Sequence, residues 1–196
     1  MTGQAHSLRL LCYTTVFGVC WGVVEMFLGT YLHMMRFPLK GAIMAAIGVL
    51  ILCVERTYTP VFRASLYTGA VAMLCKFASM GAVRLSPALA IIIQSLLAEV
   101  ILTSLGLRKS AFILTGILSG LEGVPHYLVS AYLRYGSGFY SAARDAAERL
   151  AGWLGLSEDL WIWMLAAWAG GHLLFGLLAG LVAIKTAEAT GRWVKQ

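Results

Sequence analysis

The sequence predicts an all-α, polytopic integral membrane protein: a bundle of six transmembrane helices with a short amphipathic helix in its last outer loop. Two observations predict this fold. Of 196 residues, 60% are hydrophobic and only 12% are charged, which is about half the charged fraction of a soluble domain. The hydrophobic residues also fall into six runs, most of them near the ~20 residues that cross a hydrocarbon core. Residues 1–196 are therefore predicted to form a single membrane domain.

The six runs are joined mostly by short polar connections. They cover about residues 10–32, 39–54, 61–82, 86–106, 110–133 and 160–186. The second run is short, so it is expected to cross the bilayer tilted or incompletely. The first run is too long for the apolar part of a signal peptide, and no small-residue cleavage site follows it.

One long connection, about residues 134–159, separates the last two runs. Its apolar residues recur at three- and four-residue spacing, and Arg144 and Glu148 are opposite charges four residues apart. This pattern predicts a short amphipathic helix on the membrane surface or folded over the bundle. An ordinary helix in a solvated loop is the alternative.

The positions of the basic residues predict the topology. The net charge is +6, but the Lys and Arg residues lie mainly between the apolar runs, where they anchor helix ends, so no nucleic-acid partner is expected. An even number of crossings puts both termini on one side. Basic residues are slightly more numerous on that side, which favours cytoplasmic termini in a bacterial-type inner membrane. The four cysteines contain no CxxC pair and indicate no disulfide framework or zinc site.

Several ionisable residues lie inside the runs, where charge is costly and usually marks a site facing water or the bundle interior. Glu122 and His126 are four residues apart on one helix face, next to Pro125. Counting ~1.5 Å per residue from the loops places one group toward the outside. The predicted substrate-binding residues are Glu25, His33, Arg36, Lys76, Arg84, Glu122, His126 and Tyr127. The alternative is a set of buried ion pairs that only hold helices together.

Glu99 and His172 fall at a second level, in the cytoplasmic half. An unpaired charge at that depth is unfavourable, so these two side chains are expected to pair and brace their helices. Small residues four apart, such as Gly18 and Gly22, allow close helix approach, either inside the bundle or at an interface with another protein.

Two stretches, "FPLKGAIMAAIGVLIL" and "LSPALAIIIQSLLAEVILTSLG", together with the six-helix layout, resemble the substrate-binding S component of energy-coupling factor (ECF) vitamin transporters. The resemblance covers about residues 10–187. It implies a binding protein and not an enzyme, with no resident cofactor. Such a protein captures a water-soluble micronutrient from outside and works with a transmembrane coupling subunit and ATPases. The family docks through small residues on the first helix, a role that falls here to Gly18 and Gly22.

Three alternatives remain open from the sequence. One is a solitary cobalamin- or corrinoid-binding S component, for which the resemblance implies a cysteine contact to cobalt, here from Cys75. Another is an intramembrane enzyme that uses Glu122 and His126 as acid and base, or Glu, His and Cys as metal ligands. The last is a scaffold subunit of a larger membrane complex.

Overall fold

The structure, a computed structural model, describes residues 2–35, 37, 39–78, 85–155 and 160–190. All regular secondary structure in these ranges is helical, which confirms the all-α part of the predicted fold. The elements in chain order are α1 (Thr2–Val24), a π-helical turn (Glu25–Gly29), α2 (Thr30–Met34), α3 (Lys40–Tyr58), α4 (Ala64–Ala78), α5 (Leu85–Ser104), α6 (Lys109–Tyr135), α7 (Gly138–Leu154) and α8 (Leu160–Ala189).

Five of the described helical stretches are long and apolar enough to cross a membrane. They are Ser7–Met34, Lys40–Tyr58, Leu85–Ser104, Lys109–Leu133 and Ile162–Ala189. The described part of the third predicted run, α4, is a shorter apolar helix of 15 residues. The second run is not the short one, because α3 continues past its apolar residues through Glu55 and Arg56 to Tyr58 and reaches 19 residues.

The outer surface of the bundle is apolar along most of its length. Large hydrophobic side chains such as Leu11, Phe27, Leu89, Val100 and Leu174 are exposed on several helices. A soluble monomer rarely exposes so continuous an apolar surface, whereas lipid tails cover it without cost. The surface and the long apolar helices together identify a multi-pass membrane protein.

Helix α3 occupies the centre and packs against α1, α4, α5, α6 and α8. The closest helix pair is α6 with α8, where glycines let the two backbones touch. A Cβ on Gly120 would lie 2.5 Å from the His172 carbonyl oxygen, and one on Gly180 would lie 2.7 Å from the Phe112 carbonyl oxygen. The α6–α8 seam is therefore closed to any larger residue at both positions.

The bundle has two ends, which we name by the ends of α3. At the Lys40 end, α3 and α5 begin and α6 ends. At the Tyr58 end, α3 and α5 end and α6 begins, and Tyr13 of α1 stacks beside Tyr58. Lys109 at the start of α6 pairs with Glu188 near the end of α8, 2.9 Å apart, so α8 also ends at the Tyr58 end.

Candidate functional site at the Lys40 end

A row of three polar side chains connects α5 and α6 near the Lys40 end. His126 Nδ1 lies 3.1 Å from Glu122 Oε1, and His126 Nε2 lies 2.9 Å from the Ser86 hydroxyl. The Ser86 oxygen is also 3.2 Å from the Ser130 hydroxyl. The Glu122 and His126 side chains keep 13% and 15% of their surface exposed. Both ring nitrogens of His126 are thus engaged, while the pair stays within reach of solvent or a small solute.

Local helix geometry explains this arrangement. The four-residue spacing places Glu122 and His126 one above the other on α6. The helix runs on through Pro125, which is exposed and points away from the packed core. Ser86 belongs to the first turn of α5 and comes directly before Pro87, a residue suited to a helix start.

Aromatic rings surround the neighbouring part of α6. The Tyr127 ring lies 5.1 Å from the Trp168 ring and 6.3 Å from the Phe139 ring, centroid to centroid. Trp168 in turn meets His172 edge-on at 4.7 Å. The ring of Tyr127, a predicted substrate-binding residue, is half exposed and packs on one side against Phe139 of α7 and Trp168 of α8.

His172 is not beside Glu99, and the predicted brace between them is wrong. The buried His172 ring packs on α6, with Nδ1 3.2 Å from the Gly120 carbonyl oxygen, and faces Gly41 at the start of α3. It therefore belongs to the Lys40 end. The depth estimate failed because α8 has 30 residues, about 45 Å at 1.5 Å per residue, and so exceeds a ~30 Å hydrocarbon core.

Glu99 is instead the centre of a buried network at the Tyr58 end. Its Oε1 lies 3.6 Å from Arg56 Nη1 and accepts hydrogen bonds from the Thr103 hydroxyl (2.8 Å) and the Arg63 backbone N–H (2.9 Å). Its Oε2 accepts the Ser65 backbone N–H at 3.1 Å. Glu99 thus caps the start of α4 and ties three helices together, which is a structural role.

Glu25 and Lys76 form a third polar centre, separate from Glu122. Both are buried, with Lys76 Nζ 3.7 Å from Glu25 Oε2 and donating to the Glu25 backbone carbonyl at 2.8 Å. Glu25 begins the π-helical turn, in which carbonyls lose their usual helical partners. Gly29 leaves room for the Glu25 carboxylate. The opposite charges of Glu25 and Lys76 compensate each other, and this ion pair joins α1 to α4.

The other predicted substrate-binding residues lie apart from Glu122. His33 is exposed, and its Nδ1 is 2.8 Å from Lys40 Nζ across the α2–α3 connection. Arg36 and Arg84 lie outside the described residues. The predicted outer cluster is therefore divided among the Glu122–His126 pair, the Glu25–Lys76 pair and the His33–Lys40 contact, because α3 stands between the helices that carry them.

Gly18 and Gly22 pack inside the bundle, which is one of the two uses that their spacing predicts, and not at the exposed partner interface that the resemblance implies. Both are buried against α4: a Cβ on Gly18 would lie 2.7 Å from the Thr68 carbonyl oxygen, and one on Gly22 would lie 3.0 Å from Cys75 Sγ. Cys75 thus packs on α1 and not toward Glu122 or His126. Within the described residues, no three His, Cys, Asp or Glu side chains converge as metal ligands.

The sequence did not point to Ser86, Ser130, Trp168 or Arg56. One feature of the sequence could have indicated Ser86 as a neighbour of His126: it begins the fourth apolar run, at about the depth of His126. Half-open cavities of about 430 and 280 Å³ lie at the Tyr58 end. Neither is lined by Glu122 or His126.

Comparison of the chain with protein-family models, with curated proteins and with solved structures gives no match.

Proposed function

We propose that the protein is a membrane-embedded substrate-binding component for uptake of a water-soluble vitamin or related micronutrient, working with a coupling subunit and ATPases. In this proposal α4 completes a sixth crossing, both termini are cytoplasmic, and the Lys40 end faces outward. Helix α7 then lies at the outer membrane surface, above the Glu122–His126 pair.

The observation that carries the proposal is the unused bonding capacity of Glu122. An ionised carboxylate can accept about four hydrogen bonds. Among the described residues, Glu122 makes its close contact with His126 of the same helix and interacts electrostatically with His172 of α8. A contact within one helix does not brace the bundle. A partly exposed acid and imidazole deep in an apolar helix are therefore suited to hold polar groups of a solute.

The aromatic rings around Tyr127 support the same site. Phe139 and Tyr140 of α7 pack on α6, where the Tyr140 hydroxyl donates to the Leu128 carbonyl at 3.0 Å. Few contacts hold α7 to the bundle, and most of its described side chains are exposed. In this proposal α7 moves aside to admit the solute.

Mass spectrometry of small molecules that copurify in mild detergent tests the proposal. Wild-type protein should retain a ring-containing polar nutrient, and Glu122→Gln and His126→Ala should lose it while eluting as folded monodisperse protein. Glu188→Gln is the matched control, since it removes an exposed acid at the other end. A nutrient retained equally by all four proteins would refute the site.

A second candidate function is serine-dependent hydrolysis or acyl transfer. The order of contacts, Ser86 hydroxyl to His126 Nε2 and His126 Nδ1 to Glu122, is that of a Ser–His–acid triad. Ser86 also stands in the first turn of α5, where free backbone N–H groups favour negative charge. Here His126 would remove the hydroxyl proton and Glu122 would orient the ring.

A fluorophosphonate probe distinguishes the two candidates. An active triad forms a covalent Ser86 Oγ–phosphorus bond and releases fluoride, and the label disappears in Ser86→Ala and His126→Ala. Ser130→Ala, which removes the neighbouring hydroxyl, should keep it. Wild-type protein that stays unlabelled excludes the hydrolase and leaves the three side chains as a binding site.

A further inference from the structure

Helix α3 carries a second buried acid at the Tyr58 end, Glu55, directly before Arg56. The residue is 0% exposed. Its Oε1 accepts a hydrogen bond from the Thr59 hydroxyl one turn along the chain, and its Oε2 has no hydrogen-bond partner among the described residues. An ionised carboxylate is costly to bury unless it is paired and hydrogen-bonded. The unpartnered Oε2 therefore points to a missing ligand.

Arg56, the neighbouring cation, is committed to Glu99. Its Nη1 lies 3.6 Å from Glu99 Oε1, and its described hydrogen bonds go to the Val61 carbonyl and the Thr103 hydroxyl. Arg56 and Glu99 both act electrostatically on Glu55, and a positive and a negative neighbour oppose each other in this effect. With both acids ionised, two buried carboxylates would share a single guanidinium.

The other charged side chains at this end have different partners or are exposed. Their positions are Arg9 over the Tyr13 ring, Arg63 over the Phe62 ring, Lys109 beside Glu188, and Arg108 and Lys185 on the exposed surface. Within the described part of the chain, Arg56 and Glu99 are thus the charges that act on Glu55. An ionised Glu55 would leave this buried network with an excess negative charge.

A proton suits this site better than a metal ion does. Hard cations such as Ca²⁺ and Mg²⁺ require several oxygen ligands, and no three His, Cys, Asp or Glu side chains converge among the residues that the structure describes. A proton needs no set of surrounding ligands. It makes Glu55 a neutral acid, whose burial costs far less than that of a carboxylate.

The smaller cavity of the Tyr58 end gives a proton a route from solvent. This half-open cavity of about 280 Å³ is lined in part by Thr59. The Thr59 hydroxyl also donates to Glu55 Oε1, so a single residue lies between Glu55 and the cavity. Burial of Glu55 therefore does not prevent exchange of a proton with water.

We propose that Glu55 is a proton-binding site, whose Oε2 holds one exchangeable proton taken from water in the cavity beside Thr59. While the proton is bound, Arg56 pairs with Glu99 alone. When Glu55 returns the proton to water, it becomes a second carboxylate that competes for Arg56. Proton binding is thereby linked to the network that joins α3, α4 and α5. The proposal does not depend on the solute-binding function of the Lys40 end.

Infrared spectroscopy of the intact purified chain at neutral pH tests for the proton, through the C=O stretch of protonated carboxyl groups. One component of this band should be present in wild-type protein and absent in Glu55→Gln. Glutamine has the shape of the neutral acid, so this variant should fold like wild type. Glu188→Gln, which removes an exposed acid at the same end, is the matched control and should keep the component. In heavy water the component should shift to lower frequency, because the proton exchanges with solvent.

Thr59→Val assigns the component to Glu55 without removing the acid. Loss of the Thr59 hydroxyl frees the carbonyl oxygen of the protonated Glu55, so the component should move to higher frequency. Thr57→Val is the control, because the buried Thr57 hydroxyl donates to the Val54 carbonyl, and it should leave the frequency unchanged. Glu99→Gln should abolish the component, since Arg56 is then released to pair with an ionised Glu55.

These results would support the proton site together. Absence of the component from wild-type protein, or its persistence in Glu55→Gln, would overturn the proposal. An equal frequency in Thr59→Val and Thr57→Val would place the proton on another acid. A component that remains in folded Glu99→Gln would contradict the competition for Arg56.

Discussion

Glu99 and Glu122 are both carboxylates within long apolar helices, but the protein uses them differently. Glu99 is 4% exposed and is held by Arg56, Thr103 and two backbone N–H groups from other parts of the chain. Glu122 is 13% exposed and contacts His126 of its own helix. The fold fills the bonding capacity of Glu99, which is therefore structural. In the proposed function, the open bonding capacity of Glu122 holds a ligand.

The largest expected effect concerns Glu99. Glu99→Ala should destabilise the protein by about 3–5 kcal/mol, because Arg56 is left as a buried charge without its partner. The free energy of unfolding, measured by titration with a denaturing detergent, checks this. Glu188→Gln is the control; its exposed pair with Lys109 should contribute about 0.2–1 kcal/mol. Equal losses in the two variants would contradict the structural role of Glu99.

A smaller effect is expected at the α6–α8 seam, which sets the position of the helix face that carries Glu122. Gly120→Ala would place a Cβ 2.5 Å from the His172 carbonyl oxygen, and such overpacking should cost about 1–3 kcal/mol. In α8, Gly170 has nothing within 4 Å of an added Cβ. Gly170→Ala should therefore cause no loss, and the same unfolding measurement compares the two. An unchanged free energy of unfolding in Gly120→Ala would mean that α6 and α8 pack less closely than described.

The sequence predicted the local features of Glu99 and Glu122, such as the helices that carry them, but not their contacts with distant parts of the chain. The helical class follows from composition and run length, and the common face of Glu122 and His126 follows from their spacing. The partner of Glu99 could not be derived, because the Arg56 contact depends on how α3 crosses α5. His172 was misplaced because an apolar run does not reveal how far its helix extends beyond the bilayer.

Packing also decided the roles of residues that the sequence left ambiguous. Gly18 and Gly22 have the spacing of an interface motif, but α4 fills the groove that they create. Glu25 and Lys76 lie near the depth of Glu122 by residue count, yet a π-helical turn lets them satisfy each other across α1 and α4. The sequence pattern gives the depth of a residue along its helix. The rotation of that helix and the neighbours of the residue are known only from the assembled bundle.

The affinity of purified wild-type and variant protein for the copurifying solute tests the central claim most directly. Glu122→Gln and His126→Ala should each lose a hydrogen bond to a charged group, worth about 1.5–3 kcal/mol, and so bind ~10- to 150-fold more weakly. The unfolding midpoint of Glu122→Gln should remain close to wild type, since Glu122 forms no salt bridge to another helix. His126→Ala also loses its hydrogen bond to Ser86 of α5, which should cost only about 0.5–1.5 kcal/mol. Wild-type affinity in both folded variants would contradict the claim that Glu122 is left open for a ligand.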